Sequence, residues 1–392
     1  MASGWQEGAG GFGLASQDAA RPSESLIRPP LRNISDPYPT YSAVALDLEN
    51  DEIILQDENL FQIMVYDRLD NTPPSATMTE PKRIIGGHST KIEFNCGLYV
   101  DPQSGDIYSV NNDTINTLVI FNRDVRGDTP PTRELRTPHG SYGIAVDEQA
   151  EEMFLTIQHD NAVVVFDKYA QDDDAPIRLL QGAQTLLADP HGIAVDPANR
   201  LMFVGNYGNY HEKKALEDPD RGGQDKANWP IRSEIPGSGR YHPPSITIYA
   251  LDASGDSPPL RTIQGPATQL NWPAHIALDQ EMQELFVAND GGHSILVFDA
   301  ASDGDAAPKR VIQGPRTQIK NPTGIIVDKT NNELVIANMG NHSATVFALD
   351  AAGNVPPKRI IRGGPLGRTA QQIGNPGAVG YDTRRDEILV PN

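Results

Sequence analysis

Short apolar runs separated by polar turns follow one another along almost the whole chain. One run, which we call strand A, ends at an aspartate each time it recurs. Its seven copies lie at residues 42–47, 96–101, 142–147, 191–196, 275–279, 323–328 and 377–382. Apolar runs of this length that stop at a turn residue predict short buried strands.

Three further runs follow strand A in a fixed order. Strand B recurs at 52–57, 106–111, 152–157, 200–206, 284–289, 333–338 and 387–392. Strand C recurs at 62–67, 117–122, 162–167, 245–252, 294–299 and 343–350. Strand D recurs at 29–34, 81–87, 131–137, 176–182, 258–265, 308–314 and 356–364. Four short strands in a unit of about 50 residues are typical of a β-propeller blade.

The order of the runs predicts one closed ring. The chain reads D, then ABCD six times, then AB, so we predict an all-β, seven-bladed β-propeller of four-stranded blades. The last blade is closed by the N-terminal strand and the C-terminal hairpin. Residues 1–28 are an irregular segment, and 29–392 form a single domain, although the length alone would suggest two or three.

The last blade has no strand C of its own in this pattern. Either the segment before Pro29 fills the gap, or a strand from another chain does, because an open edge invites pairing. The segment before Pro29 is poor in β-branched residues. We therefore expect this blade to be a possible assembly contact.

The composition limits the classes of partner that the protein is expected to bind. The net charge of −20 disfavours nucleic acids and anionic membrane surfaces. Cys96 is the single cysteine, and the first 25 residues lack the basic and apolar regions of a signal peptide. No apolar run approaches the roughly 20 residues of a membrane span. We expect a soluble protein without membrane insertion; cytoplasmic and secreted locations both stay open, with an extracytoplasmic one slightly favoured.

Propeller topology predicts where a site would lie. Strand A lines the axis, and the D–A and B–C loops share one face, which should hold any site. The column at the start of strand A is chemically varied: Ser42, Cys96, Tyr142, His191, Ala274, His275 and Thr323. The B–C loops of the same face contribute Gln158, Asp160, Asn206, Asp290 and Asn341.

The fourth B–C loop departs most from the repeat. Asp196 and Asp279 are 83 positions apart, whereas the other strand-A aspartates follow one another after 46 to 54. The insertion spans 207–244 and is aromatic, which favours a lid or a contact surface over a loop without function. The predicted ligand- or partner-binding residues are Tyr142, His191, His275, Tyr207, Tyr210, Trp229 and Tyr241.

Histidines are the main chemical signal on this face. His159, His191, His275, His293 and His342 all map to it, and imidazoles beside carboxylate or amide oxygens could hold a divalent metal. No HExxH-like spacing supports that site, so the alternative is that they are turn residues. The aspartates that close strand A and the asparagines that close strand B are identical from blade to blade, which indicates turn capping and architecture.

The sixth unit, residues 321–350, resembles an NHL repeat. Its Pro-x-Gly-Ile-x-Val-Asp start, its Ala-Asn strand end and the triplet Gly340-Asn341-His342 match that pattern, and the fifth unit keeps Gly291-Gly292-His293. NHL propellers commonly have six blades and lack the Pro-x-Arg-x-Ile-x-Gly pattern of strand D. Seven-bladed lactonase-like propellers are therefore a competing relative. The resemblance also implies a metal possibility, because one NHL-type lyase binds its metal through axial histidines.

The sequence favours a non-enzymatic binding or scaffold propeller that presents a loop face to a protein or a small ligand. It contains no nucleophile–base pair, phosphate loop or close carboxylate pair outside the repeat positions. The alternative is a metal-dependent lyase or lactonase that acts at the mouth of the central channel. RNA binding, known for some NHL propellers, is disfavoured by the charge.

Overall fold

The computed structural model describes residues 26–38, 40–215, 232–366 and 376–391. Its elements are β-strands joined by turns and a few short 3₁₀ segments, and the described residues contain no α-helix. The first strand, β1, is Ile27–Arg28. No helix among the described residues is long and apolar enough to cross a membrane.

Six antiparallel sheets of four strands each follow β1, and all-β blades are thereby confirmed. Blades 1 to 3 take consecutive strands, and blade 4 is interrupted by the insertion. Their bounds are as follows: blade 1, β2–β5 (Tyr41–Asp47, Glu52–Asp57, Gln62–Asp67, Arg83–Gly86); blade 2, β6–β9 (Asn95–Val100, Ile107–Asn111, Thr117–Phe121, Arg133–Arg136); blade 3, β10–β13 (Ser141–Asp147, Glu152–Ile157, Ala162–Asp167, Arg178–Gln181).

Blade 4 and its insertion hold eight strands. Strands β14 (Pro190–Asp196), β15 (Leu201–Asn206), β20 (Ser245–Ala250) and β21 (Arg261–Gln264) form the blade itself. The insertion is a two-stranded ribbon, in which β16 (Asn209–Tyr210) pairs with β19 (Arg240–Tyr241) and β17 (Lys213–Ala215) with β18 (Arg232–Glu234).

The remaining strands complete the ring. Blade 5 is β22–β25 (Pro273–Asp279, Glu284–Asn289, Ser294–Asp299, Arg310–Gln313), and blade 6 is β26–β29 (Pro322–Asp328, Glu333–Asn338, Ser343–Ala348, Arg359–Ile361). A hairpin of β30 (Gly380–Asp382) and β31 (Glu387–Leu389) stands at the seventh position.

The burial of each strand follows from its position in the blade. Strands B and C are packed between neighbouring blades, so almost every residue of β23 and β24 is buried. Strand A keeps its central residues only half buried, as in β2 and β10. Half-exposed side chains on the innermost strand of every blade line the central channel that propeller topology predicts.

Seven A strands surround one axis. Each lies beside the next, and β30 lies between β26 and β2. On one side of the hairpin, Thr323 donates a hydrogen bond to the Pro376 carbonyl over 3.1 Å. On the other, the buried Arg68 guanidinium lies 2.7 Å from the Asp382 carboxylate. The seven-bladed ring is confirmed, with a seventh blade reduced to a hairpin among the described residues.

The N-terminal part of the seventh blade differs in detail from the prediction. Residues 29–34 lie against the hairpin, where Arg32 pairs with Glu387, but they form no strand. The short strand β1 pairs in parallel with β29 of blade 6. Pro29 and Pro30 have no N–H to donate, and among the described residues no strand pairs with residues 29–34.

The repeated aspartates and asparagines have the architectural role that was predicted. Every strand-A aspartate accepts a backbone N–H from its own A–B turn, as Asp279 does from Glu281 and Met282. The asparagines at the end of strand B tie the D–A loop to strand C: Asn289 accepts the N–H of Asn271 and donates to Ser294. Asn392 lies outside the described residues.

Candidate functional site

Strand A begins with a β-bulge in each of the six complete blades. One extra residue lies on strand A opposite strand B, between the first pair of the ladder and the rest. The residues at the bulges are Ser42, Cys96, Tyr142–Gly143, His191–Gly192, Ala274 and Thr323. Bulges re-aim side chains and are frequent beside functional sites. Apart from His275, which pairs with Ala288, the residues of the chemically varied column are therefore those that leave the ladder.

A second varied column forms the rim of the same channel mouth. In six blades the residue after strand B donates its N–H to the residue just before strand A. The donors are Glu58, Asn112, Gln158, Tyr207, Asp290 and Met339, and the acceptors are Thr40, Phe94, Gly140, Asp189, Trp272 and Asn321. One backbone bond thus fixes two variable side chains per blade at the mouth.

Aromatic rings from three blades stack across this mouth. Tyr142 lies 4.7 Å from His191 at an angle of 58°. The His191 ring is parallel to that of Tyr207, with centroids 3.6 Å apart and planes 8° apart. Tyr207 is in turn parallel to Trp272 at 5.7 Å and 7°. We call these four residues the aromatic ladder.

Trp272 ends the aromatic ladder at the surface. It is 50% exposed, and its backbone has φ of +54°. A bulky residue in the left-handed region is strained and persists only where its surroundings impose that conformation. The bond from the Asp290 N–H to the Trp272 carbonyl and the stack on Tyr207 provide that constraint.

Hydrogen bonds fix the imidazole within the aromatic ladder. The side-chain amide of Gln158 lies 2.6 Å from His191 Nε2, and His191 Nδ1 lies 3.1 Å from the Asp189 carbonyl oxygen. Both contacts are satisfied when Gln158 donates to Nε2 and Nδ1–H donates to the carbonyl. Burial lowers the pKa of His191 to about 4, so the ring is neutral at pH 7.

Acidic groups surround the aromatic ladder. Burial raises the pKa of Asp189 to about 6, and burial together with the nearby Asp57 raises that of Glu58. Burial, with additional repulsion from Cys96, Glu58 and two aspartates, raises the pKa of Tyr142 to about 12. Burial is the largest cause of each shift and disfavours charge of either sign, whereas the smaller repulsion among the acidic groups at Glu58 and Tyr142 disfavours a further negative charge only.

The histidines predicted to hold a metal do not converge. His275 faces the channel and its Nδ1 accepts the Ile325 N–H at 3.3 Å, while His293 Nδ1 accepts the Asn321 N–H at 3.1 Å. His159 packs on His139 at 4.8 Å, and His342 ends a 3₁₀ turn. Within the described ranges, no three His, Cys, Asp or Glu side chains are grouped as metal ligands. The five histidines therefore form no ligand set there.

The structure brings together three of the seven predicted ligand-binding residues. Tyr142, His191 and Tyr207 belong to the aromatic ladder, and His275 lies in the channel. Tyr210 packs inside the ribbon, with the Arg240 guanidinium 4.7 Å from its ring centroid, and Tyr241 is 80% exposed. Trp229 lies outside the described residues.

The ribbon rises from the channel-mouth face. The Lys213 ammonium near its base lies 3.4 Å from Asp160 in the B–C loop of blade 3. Gly208 donates its N–H to the Ala188 carbonyl of the neighbouring D–A loop. The ribbon therefore leans over blade 3, beside the aromatic ladder, on the face where the insertion was expected.

The sequence analysis did not predict Trp272 or Asp189 as residues of the channel mouth. Both precede strand A by one residue, a position that was not considered as a column. The available signal was the variation at that position, from Thr40 and Phe94 to Gly140, Asp189 and Trp272.

Comparison with known proteins supports the fold. The family model "Lactonase, 7-bladed beta-propeller" matches residues 238–374, about a third of the chain. Among curated proteins none matches the sequence. The crystal structure of the β-propeller domain of Cps50 (Swd1) from Myceliophteria thermophila superposes with a TM-score of 0.53. It is 11% identical, and the match covers 86% of this chain and 89% of that one.

These likenesses establish a β-propeller and no specific activity. At 11% identity the solved structure bears on the fold alone. The matched family is the lactonase-like relative, while the resemblance to NHL repeats remains a prediction. Propellers host many unrelated functions, so the function has to be inferred from the channel mouth itself.

Proposed function

We propose that this protein is a binding propeller that receives a ligand at its channel mouth, on the aromatic ladder. The parallel stack from His191 through Tyr207 to the half-exposed Trp272 supports this proposal most directly. Aromatic rings held at fixed spacing by a rigid scaffold are typical of binding sites, where they provide contact area at little entropic cost.

The polar groups beside the aromatic ladder favour binding over catalysis. Both ring nitrogens of His191 are engaged, one by Gln158 and one by Asp189. With its lowered pKa, this imidazole is a poor base at neutral pH. Its bonds instead hold the ring flat against Tyr207, which is a positioning role.

The expected ligand is an organic cation or a cationic side chain of a protein partner. An aromatic face attracts cations through its quadrupole, and desolvation strengthens that attraction. Asp189, Glu58 and Asp290 add negative charge near the same rings. The overall charge of −20 attracts the same ligands at long range.

Tryptophan fluorescence tests the proposal with three probes of similar size: tetramethylammonium, tert-butyl alcohol and pivalate. Replacing Trp5 and Trp229 by phenylalanine leaves Trp272 as the single tryptophan. We expect saturable quenching by tetramethylammonium only, and its loss in Tyr207→Ala. The control Tyr241→Ala alters a tyrosine that is not in the aromatic ladder. Equal responses to all three probes, or unchanged binding in Tyr207→Ala, would contradict the proposal.

A lactonase-like hydrolase is the second candidate, because the matched family segment includes Trp272, His275 and Asp290 of the mouth. It predicts hydrolysis of simple lactones by the purified chain, with divalent metal added and then chelated. Turnover that chelation abolishes would favour this candidate over the binding module. Absence of turnover with intact tetramethylammonium binding would favour the binding module.

A further inference from the structure

The third position of strand A, two residues after Pro273 in blade 5, holds a small residue in every blade but one. The small residues are Ala43, Gly97, Gly143, Gly192, Gly324 and Ala378. In blade 5 the same position is His275. A large polar side chain thus replaces alanine or glycine in a single blade.

Close packing of neighbouring A strands accounts for the small residues. A Cβ atom at Gly143 would lie 2.5 Å from the His191 carbonyl oxygen of the next blade, and one at Gly97 would lie 2.8 Å from the Tyr142 carbonyl oxygen. Such contacts are sterically forbidden, so the approach of the next strand requires glycine at these positions. The architecture of the ring therefore gives no reason for a histidine at this level.

His275 lies beside the aromatic ladder, on the neighbouring strand and one position further from the mouth than His191. A Cβ atom at Gly192, the residue after His191, would lie 3.2 Å from His275 Cα. Trp272, at the end of the aromatic ladder, precedes His275 by three residues. The His275 side chain is exposed, and because strand A is the innermost strand of the blade, it is exposed to the channel.

A hydrogen bond to blade 6 orients the imidazole of His275. Its Nδ1 accepts the Ile325 N–H at 3.3 Å. Desolvation inside the ring of blades lowers the pKa of His275, so the imidazole is neutral at pH 7 and carries its hydrogen on Nε2. Among the described residues no group accepts a hydrogen bond from Nε2. The Nε2–H donor is therefore available to a molecule in the channel.

The two neighbouring histidines thus differ in what they offer a ligand. Both ring nitrogens of His191 are engaged by protein groups, Gln158 and the Asp189 carbonyl. His275 uses one nitrogen to fix its ring and keeps the other as a donor. The partner of that donor has to be an acceptor atom, and an oxygen is the usual one.

The charge of the mouth indicates that the acceptor oxygen is uncharged. Glu58, Asp189 and Asp290 lie close enough to Tyr142 to raise its pKa, so they also repel a carboxylate that enters beside it. A carbonyl oxygen accepts an N–H without bringing a negative charge into this acidic site.

We propose that the Nε2–H of His275 donates a hydrogen bond to a carbonyl oxygen of the ligand whose cationic group lies on the aromatic ladder. This inference rests on the function proposed above and narrows the ligand to a small organic cation that carries an uncharged carbonyl group. The aromatic ladder attracts the charge, and His275 selects among cations.

Two matched probes test the role of His275. They are (4-oxopentyl)trimethylammonium and n-pentyltrimethylammonium, which differ only in one carbonyl group. Binding is followed by quenching of Trp272 in the parent chain with Trp5→Phe and Trp229→Phe. The measured quantity is the Kd of the pentyl probe divided by that of the ketone. We expect this ratio to fall about fivefold in His275→Leu, which has no donor.

Two further variants serve as controls. His275→Gln, whose side-chain amide donates, should restore part of the ratio. His139→Leu removes an exposed histidine from the D–A loop before blade 3 and should keep the ratio of the parent chain. An unchanged ratio in His275→Leu would overturn the role of His275 and leave the proposed function standing. Absence of tetramethylammonium binding to the parent chain would overturn both.

NMR of the His275 ring gives a test that needs no substitution at this position. Addition of (4-oxopentyl)trimethylammonium should shift the Nε2–H resonance downfield, as a new hydrogen bond does, and n-pentyltrimethylammonium should leave it in place. Equal shifts with the two probes, or no shift with either, would overturn the proposal.

Discussion

The seven repeats allow each residue position to be compared with its own copies. Asp279 and its six equivalents do the same work, capping a turn, whereas the position occupied by Trp272 holds a different side chain in every described blade. Identity across blades indicates architecture, because all blades need the same turn. Variation at the mouth marks positions that the fold leaves free for function.

Strain at Trp272 leads to a prediction. Because φ is +54°, Trp272→Gly removes a left-handed penalty that Trp272→Ala retains. We expect the glycine variant to be more stable than the alanine variant by about 1 kcal/mol, and both to lose tetramethylammonium binding. Urea denaturation of the two variants measures the difference; a more stable alanine variant would contradict the strained backbone.

A second prediction concerns the protonation of His191. Its pKa is about 4 in the folded state and about 6.5 in an unfolded chain, so the folded state binds fewer protons between these values. Its contribution to stability is present above pH 6.5 and is lost as pH falls towards 4. The raised pKa of Asp189 acts in the opposite direction.

NMR titration of the His191 ring should therefore give a midpoint near pH 4. In an Asp189→Asn background, which removes the opposing group, stability should fall between pH 6.5 and 4. His191→Phe in the same background should reduce that fall. A midpoint near 6.5 would show that the ring is not buried in the aromatic ladder.

At the level of the strand, periodicity predicted most bounds within a residue or two. The predicted strand B of blade 5, residues 284–289, is the observed Glu284–Asn289. The exception is the run at 29–34, because a strand exists only through its pairing partner and the run alone cannot show whether one is present.

The aromatic ladder was predicted in part from the sequence, since Tyr142, His191 and Tyr207 lay in recognised columns and Trp272 did not.

In four of the six complete blades an arginine of strand D pairs with the glutamate that begins strand B, and this ion pair can be tested in blade 5. The Arg310 guanidinium contacts both oxygens of Glu284, at 2.8 and 2.7 Å, and lowers the pKa of Glu284 to about 2. Glu284→Gln should cost about 3 kcal/mol in unfolding free energy, because it leaves a charge without its buried partner. Lys309→Met, which removes an exposed partner of the same carboxylate, should cost about 0.5 kcal/mol. Similar losses in the two variants would show that the burial of Glu284 does not matter.

The insertion should be separable from its blade. Asn206 and Ser245 are paired, just as Asn289 and Ser294 are on either side of the short loop 290–293. Replacing 208–244 by Gly-Gly-His keeps Tyr207 and copies that loop. We expect an unchanged circular dichroism spectrum and Tm within about 5 °C, since the ribbon contributes little to the blade core. A large loss of stability would show that the ribbon supports blade 4.

At the scale of the whole molecule, the stability of the ring depends on the contact between the seventh blade and the first. Repeats bury their faces only against neighbours, so a gap at the seventh position would expose two blades at once. The contact from Lys168 of blade 3 to Asp101 of blade 2 recurs at the closure as Arg68 of blade 1 to Asp382. The seventh blade is thus joined to the first by the same kind of ion pair that joins neighbouring blades elsewhere.

Arg68 is a buried charged residue at the closure of the ring. Its guanidinium contacts Asp382 and Glu387 at 2.7 Å each, and the Arg68 and Asp382 side chains are 4% and 0% exposed. Arg68→Met keeps much of the volume but leaves Asp382 with only Arg385 and turn N–H groups among the described residues, so we expect a loss of about 3 kcal/mol in unfolding free energy.

Burial raises the pKa of Asp382, yet the N–H of Arg385 and the charge of Arg68 outweigh it and hold that pKa low. The stabilisation is therefore present above the unfolded pKa of about 4 and is lost as pH falls through the lower folded value. Chemical denaturation of wild type and Arg68→Met at pH 7 and pH 3 should show a difference that narrows in acid, whereas Arg126→Met, in an exposed turn, should show none at either pH. A difference that is independent of pH would mean that Arg68 acts through packing rather than through the charge that closes the ring.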